Sequence, residues 1–250
     1  MVSKYVREGY LNSTKNLGSK RNEDEDTGSE EQYKRIQNIG SVVTSSGKKK
    51  MYALTIIGQI EGHTRLSDET KSTKYENIIP ELVAIEQDKE IEGLLILLNT
   101  VGGDIEAGLA IAELISTMNK PSVSLVIGGG HSIGVPLAVC TDYSFIVPSA
   151  TMTVHPVRTD GTTLGVEQSF ENLRRMQQRI ADFVVSHSKI SEKRFYELCM
   201  NTEEMSMDVG TVIDGNQAVK EGLINEVGGL SSAIERLNKI VKDNKNTKNK

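Results

Sequence analysis

Two features of the sequence predict an α/β fold built of stacked βαβ units. The runs GLLILLN (93–99) and SVSLVI (122–127) are apolar without alternation, the pattern of strands buried on both faces of a parallel sheet. Each runs into a glycine-rich turn and then into an apolar stripe at helical spacing, so strand, turn and helix occur twice in succession. At 250 residues, 37% hydrophobic and 25% charged, the chain suits one globular body with tails, and its composition excludes wholesale disorder and collagen-like or disulfide scaffolds.

The elements follow in order. Residues 1–50 are polar and end in SSGKKK, which predicts a flexible N-terminal extension and a domain spanning 51–238. Residues 21–31 carry six acids against one Arg, whereas 239–250 carry five Lys against one Asp, so the C-terminal twelve read as a basic flexible tail. MYALTII (51–57) is the first predicted strand, broken by the glycines of GQIEGH. IIPELVAIEQ (78–87) reads as a helix, with Pro80 tolerated in its first turn and apolar Ile79, Leu82, Val83 and Ile85. After 93–99 and the turn Thr100-Val101-Gly102-Gly103-Asp104, one helical stripe carries Ile105, Leu109, Ala112, Ile115 and Met118. After 122–127 the turn Gly128-Gly129-Gly130-His131-Ser132 leads into a short apolar helix (133–140), then strands at 144–147 and 151–154, the last delivering His155.

Farther along, Val166, Phe170, Leu173, Met176, Ile180, Phe183 and Val184 recur every three or four residues across 165–187. A helix of about 22 residues spans roughly 33 Å, long enough to project against a neighbouring subunit, and it reads equally as a cover helix. Ser191 is placed to cap a helix over 191–200, and Asp214 opens another that ends at Gly222.

Composition narrows the function. The net charge of −5 opposes a broad nucleic-acid-binding face, and no run approaches the ~18 apolar residues of a membrane span. The N-terminal MVSKYVREGYLNSTK lacks the apolar core of a signal peptide, so a cytoplasmic protein is expected. Cys140 and Cys199 both lie in apolar stretches and read as buried thiols in a reducing compartment. Neither GxGxxG nor a P-loop is present, so no nucleotide cofactor and no metal are expected, and ATP-driven work would need a separate partner.

The second turn offers chemistry instead. Gly130-His131-Ser132-Ile133-Gly134 matches G-x-S-x-G, in which glycines relieve crowding around a strained serine at the start of a helix. A serine nucleophile needs a base, and of the four histidines His155, at a strand end, is the natural partner. His63 falls in a loop, His131 adjoins the serine, and His187 lies near a helix end.

These stretches, NTVGGDIEAG, GGHSIG and VPSATMTVHP, resemble the proteolytic subunit of the ATP-dependent Clp protease, the ClpP serine peptidases, over about residues 51–230. GQIEGH and LLNTVGGDIEAGLAIAE look most like the translocation-enhancing TepA branch. The resemblance implies a ClpP/crotonase-type fold, assembly into homo-oligomeric rings, and a projecting handle helix at 165–187. It implies Ser132 as nucleophile, His155 as base, and the amides of Gly103 and Ile133 as the oxyanion hole. Where the family has an aspartate followed by Thr-Glu, this chain has Asn201, leaving Asp208 and Asp214 as alternative third members. His131 before the serine and Pro156 after the histidine also depart from the family. The implied activity is a cytoplasmic serine endopeptidase acting on peptide, signal-peptide or unfolded substrates, with a possible separate unfoldase ATPase. Against it stand a degenerate binding scaffold, a crotonase-like acyl-CoA enzyme, and a Ser-Lys variant using Lys189 or Lys193.

Overall fold

The computed structural model describes residues 36, 40–46, 49–159, 165–203 and 209–248. The acidic tract 21–31 and Asp208 lie outside the described residues. The fold is α/β around a mostly parallel sheet, as the apolar runs predict. Its strands are β1 (Ser41–Ser46), β2 (Lys49–Glu61), β3 (Ser72–Lys74), β4 (Ile91–Gly103), β5 (Ser122–Gly130), β6 (Tyr143–Ile146), β7 (Thr151–Val154), β8 (Thr211–Asp214) and β9 (Glu226–Val227). The main path runs β1-β2-β4-β5-β6-β9. Among the described strands, only β1 on β2 and β8 on β7 pair antiparallel.

The sheet starts earlier than the composition suggests. β1 lies within the stretch read as an extension and pairs from Ser41↔Leu54 to Ser46↔Lys49; its Val- and Thr-rich sequence suits an edge strand even though it is polar on average. Nor does Gly58, the first glycine of GQIEGH, end β2; the strand stops only before the second, Gly62. Gly58 takes a left-handed φ of 80° where the register against β4 slips, and the strand continues to Glu61, pairing with β3 along Gln59–Glu61.

Helix α1 (Tyr75–Gln87) buries Ile78, Leu82 and Ile85, while the predicted Val83 faces out, 54% exposed. Helix α2 (Ile105–Ser116) follows β4, and α3 (Gly134–Val139), buried along its whole length, follows β5. Both crossovers cover the same sheet face. Leu94, Ile96 and Leu98 point into that side, whereas Leu95, Val123, Leu125 and Phe145 form a second apolar layer on the other. That layer is closed by Ala233, Leu237 and Val241, spaced by four on α7 (Leu230–Lys248). The stretch 239–250, read as a tail, is therefore helical as far as Lys248. Its lysines hid Val241, the last of three residues at helical spacing that cover this sheet face.

The last part of the chain builds a side layer. β5 overruns the main sheet, and its end pairs with β7 at Gly129↔Thr151. β8 extends β7, and α5 (Glu192–Cys199) and α6 (Gly215–Lys220) flank it. The long helix α4 (Val166–Ser186) buries Ala181, Phe183 and Val184 at its C-terminal end only; Val166 (78%) and Phe170 (67%) stand exposed at the other end. Cys140 and Cys199 are buried and free, and burial pushes the Cys199 thiol up to about 12.

Candidate active site

Ser132 begins the turn from β5 into α3 and is the one non-glycine residue with positive φ, 57°, among the described residues. A serine in the left-handed region costs about 1–2 kcal/mol, so surrounding bonds must hold it there. The Ser132 amide donates to the Thr153 carbonyl of β7 (2.9 Å), the His131 amide to the Thr100 carbonyl of β4 (3.2 Å), and the Gly134 amide to the His131 carbonyl (2.8 Å). The turn into α3 thus starts at the serine, and Ile133 is the residue directly before the helix.

The other βα turn is pressed against it. Gly102 and Gly103 have φ of 92° and 149°. A Cβ on Gly102 would lie 2.6 Å from Ser132 Cβ and 3.2 Å from Ser132 Oγ, and one on Gly103 would lie 2.3 Å from the Ile60 carbonyl oxygen. Only bare backbone fits between β2 and the serine. The approach is maintained by Thr100, whose buried hydroxyl donates to the Gly58 carbonyl (2.6 Å) and accepts from the Gly102 amide (3.1 Å). Asn99 accepts from the Gly129 amide (2.8 Å), tying the two turns together. Asp104 then caps α2 through the Ala107 amide (2.8 Å). Asn99 and Thr100 carried no signal in the sequence, because polar residues after a strand read as ordinary loop.

His155 follows β7 directly, one residue past Val154. Thr153 and His155 share a strand face by the two-residue period, so the strand that accepts the Ser132 amide also delivers the imidazole. His155 Nδ1 lies 2.7 Å from the Pro156 carbonyl. A carbonyl only accepts, so Nδ1 carries the proton and Nε2 is left as an acceptor. His131 is also part of this group: its Nδ1 lies 2.8 Å from Thr153 Oγ1, and burial, followed by the charge of His155, holds its pKa below the usual histidine value. The remaining histidines lie elsewhere. His63 packs on Tyr75, and His187 stacks on Phe183 while bonding that residue's carbonyl.

The expected third members fare differently. Asn201 Oδ1 accepts the Glu203 amide (3.0 Å), closing a local turn, and its backbone carbonyl accepts the Gly210 amide (2.8 Å). Gly210 in turn packs on His155, where a Cβ would lie 2.7 Å from His155 Cβ. Asn201 therefore supports His155 through backbone rather than through its amide. Asp214 is removed from the site, since it pairs with Thr151, three residues from Val154, or ~10 Å along the strand. Its carboxylate is used in a capping box with Gln217. Of the lysines of the Ser-Lys alternative, Lys193 is 88% exposed and 3.8 Å from Glu197, and Lys189 bonds Gly222 through its backbone.

Comparison with known proteins agrees with this geometry. A family model described as Clp protease matches residues 45–230. The chain is 54% identical to the translocation-enhancing protein TepA of Halalkalibacterium halodurans, over 83% of this chain and 81% of that one. It is 24% identical to the ATP-dependent Clp protease proteolytic subunit 1 of Protochlamydia amoebophila, over 68% and 82%. It is 22% identical to a putative signal peptide peptidase SppA of Enterococcus faecium, over 78% and 64%. Two βα turns meeting at a strained serine, together with a match over most of the chain, place this protein in the Clp protease family.

Proposed function

We propose that this chain is a cytoplasmic serine endopeptidase that cleaves peptides, unfolded segments or signal peptides inside a homo-oligomeric ring. The observation that carries the reading is Ser132 itself, a serine held at φ 57° between two glycine turns. Strain of this kind persists where the surroundings over-determine it, and it gathers at reactive residues. In the proposed mechanism Ser132 Oγ attacks the scissile carbonyl while His155 Nε2 takes its proton. The Gly103 and Ile133 amides receive the oxyanion. His155 then protonates the leaving amine, and water, deprotonated by the same imidazole, releases the acyl group from Ser132. The Pro156 carbonyl holds Nδ1–H throughout, and Asp208 is the carboxylate candidate for stabilising the imidazolium. Substrate class rests on the relatives whose names contain protease subunit and signal peptide peptidase.

The ring rests on α4. Its exposed Val166 and Phe170 continue the apolar stripe that is buried at the other end, and an apolar stripe of this kind is covered in an assembly. Among the described residues no helix is long and apolar enough to cross a membrane.

A fluorophosphonate probe tests the chemistry. Labelling is expected on Ser132, mapped by mass spectrometry, and is expected to vanish in Ser132→Ala and His155→Ala. An unlabelled wild-type protein that still assembles would favour the scaffold reading, whose support is the missing carboxylate at Asn201. Light scattering tests assembly, where a 27.4 kDa particle at micromolar concentration would exclude the ring.

A further inference from the structure

We propose that His131 and Thr153 form a positioning pair that fixes β7, and with it His155, in register against the nucleophile turn. The inference rests on the peptidase reading of Ser132 and His155 and assigns a role to two residues outside that reading.

Strand pairing holds β7 only lightly on its serine side. On its β5 side, β7 has a single register pair, Gly129↔Thr151, four residues before His155. On its other side β8 pairs from Thr151 to Val154 and then stops. Closer to His155, Thr153 is bonded twice to the serine turn: its carbonyl accepts the Ser132 amide (2.9 Å), and its hydroxyl meets His131 Nδ1 (2.8 Å). The backbone bond fixes one point, and the side-chain bond fixes the rotation of the strand about it. His131 is itself placed firmly. Its amide bonds the Thr100 carbonyl, and its ring lies over Gly129, where a Cβ would come within 2.7 Å of both Cδ2 and Nε2. The ring therefore occupies a seat that exists because residue 129 has no side chain.

Burial, and after it the charge of His155, holds the pKa of the half-buried His131 ring below the usual histidine value. A small residue before the serine could not make this bridge. Thr153 would then hold only its backbone contact, and His155 would sample a wider range of positions relative to Oγ. Misplacement of a base by about 1 Å can cost up to ~100-fold.

The test is the second-order rate of Ser132 labelling by a fluorophosphonate, with melting temperature read alongside. Thr153→Val preserves shape and removes the hydroxyl, while Thr153→Ser restores it. His131→Ala removes the ring, and His131→Asn keeps an amide group near the place of Nδ1. Thr153→Val and His131→Ala are expected to slow labelling roughly tenfold to a hundredfold with little change in melting temperature. Thr153→Ser and His131→Asn should recover most of it, and the double variant should be no slower than either single. Wild-type labelling rates in Thr153→Val, or additive losses in the double variant, would overturn the pair. If the wild-type protein is not labelled, the peptidase reading fails, and the pair is then judged by imidazole nitrogen NMR. The His155 resonances should shift or broaden in Thr153→Val; an unchanged His155 spectrum would overturn the proposal.

Discussion

The two stretches that flank His155 use their residues in opposite ways. On the serine side, Gly102, Gly129, His131, Ser132 and Thr153 meet through close backbone approach and through bonds that cross from one turn or strand to another. On the other side, two described polar side chains serve local structure: Asn201 closes a turn onto Glu203 and Asp214 caps α6. Asn and Asp are good at both catalysis and capping, and residue type alone does not distinguish the uses. Glycine is less ambiguous. Where a Cβ would strike a neighbouring strand, the absence of a side chain is the function.

That contrast predicts a graded set of effects. The largest belongs to Gly102→Ala, which forces a Cβ to within 2.6 Å of Ser132 Cβ at φ 92°. It should destabilise by about 2–4 kcal/mol and abolish fluorophosphonate labelling of any folded remainder. Denaturant midpoints and labelling on one preparation would show it, and a stable, fully labelled Gly102→Ala protein would erase the distinction between the two sides.

On the other side the expected losses are smaller and confined to stability. Asp214→Ala should cost about 1 kcal/mol through loss of the cap, with labelling of Ser132 unchanged. Asn201→Ala should be milder still, within a few tenths of a kcal/mol and with labelling within about threefold of wild type. Asn201→Asp should not accelerate the reaction, because Oδ1 faces the Glu203 amide. A marked catalytic loss in Asn201→Ala with an unchanged melting temperature would return that residue to the triad. Asp208→Asn completes the set, since a loss there and not at Asn201 identifies the carboxylate.

Acid gives the smallest effect. Burial lowers the pKa of His131 in the folded chain, so between its folded and unfolded values the unfolded state binds more protons. The contribution of this group is therefore intact above an unfolded value of about 6.5 and declines as pH falls below it. Melting curves of wild type and His131→Asn should separate in that direction, with the variant losing less stability on acidification. Curves that stay parallel from neutral pH downward would place His131 in water.

Much of the site was legible before folding. Continuous apolar runs ending in glycine turns require buried parallel strands, and right-handed crossovers bring such turns to one sheet edge. Ser132 and His155 could therefore be named as candidates from pattern alone, and the family resemblance added Gly103 and Ile133 as candidate oxyanion donors. The bond between Thr153 and His131 was not legible, because nothing in a threonine two residues before a histidine says which neighbour its hydroxyl meets.

What the sequence determined by itself was thus the set of elements whose signal is local: unbroken apolar runs over β4 and β5, apolar periodicity over α2 and α4, and the glycines a tight turn demands. What tertiary structure alone decided was the use of short or polar segments, where the local signal is weak and a partner supplies the energy. β1 became a strand because β2 offered an open edge, and α7 stayed helical into a lysine-rich end because Ala233, Leu237 and Val241 had an apolar sheet face to cover. Asp214 became a cap because β8 pairs it with Thr151 and so holds it away from His155. For α7 and Asp214 the deciding contact joins residues far apart in the chain, and no short window of sequence contains both; for β1 the partner is the next strand, but its open edge exists only because β2 is already paired to β4 on its other side.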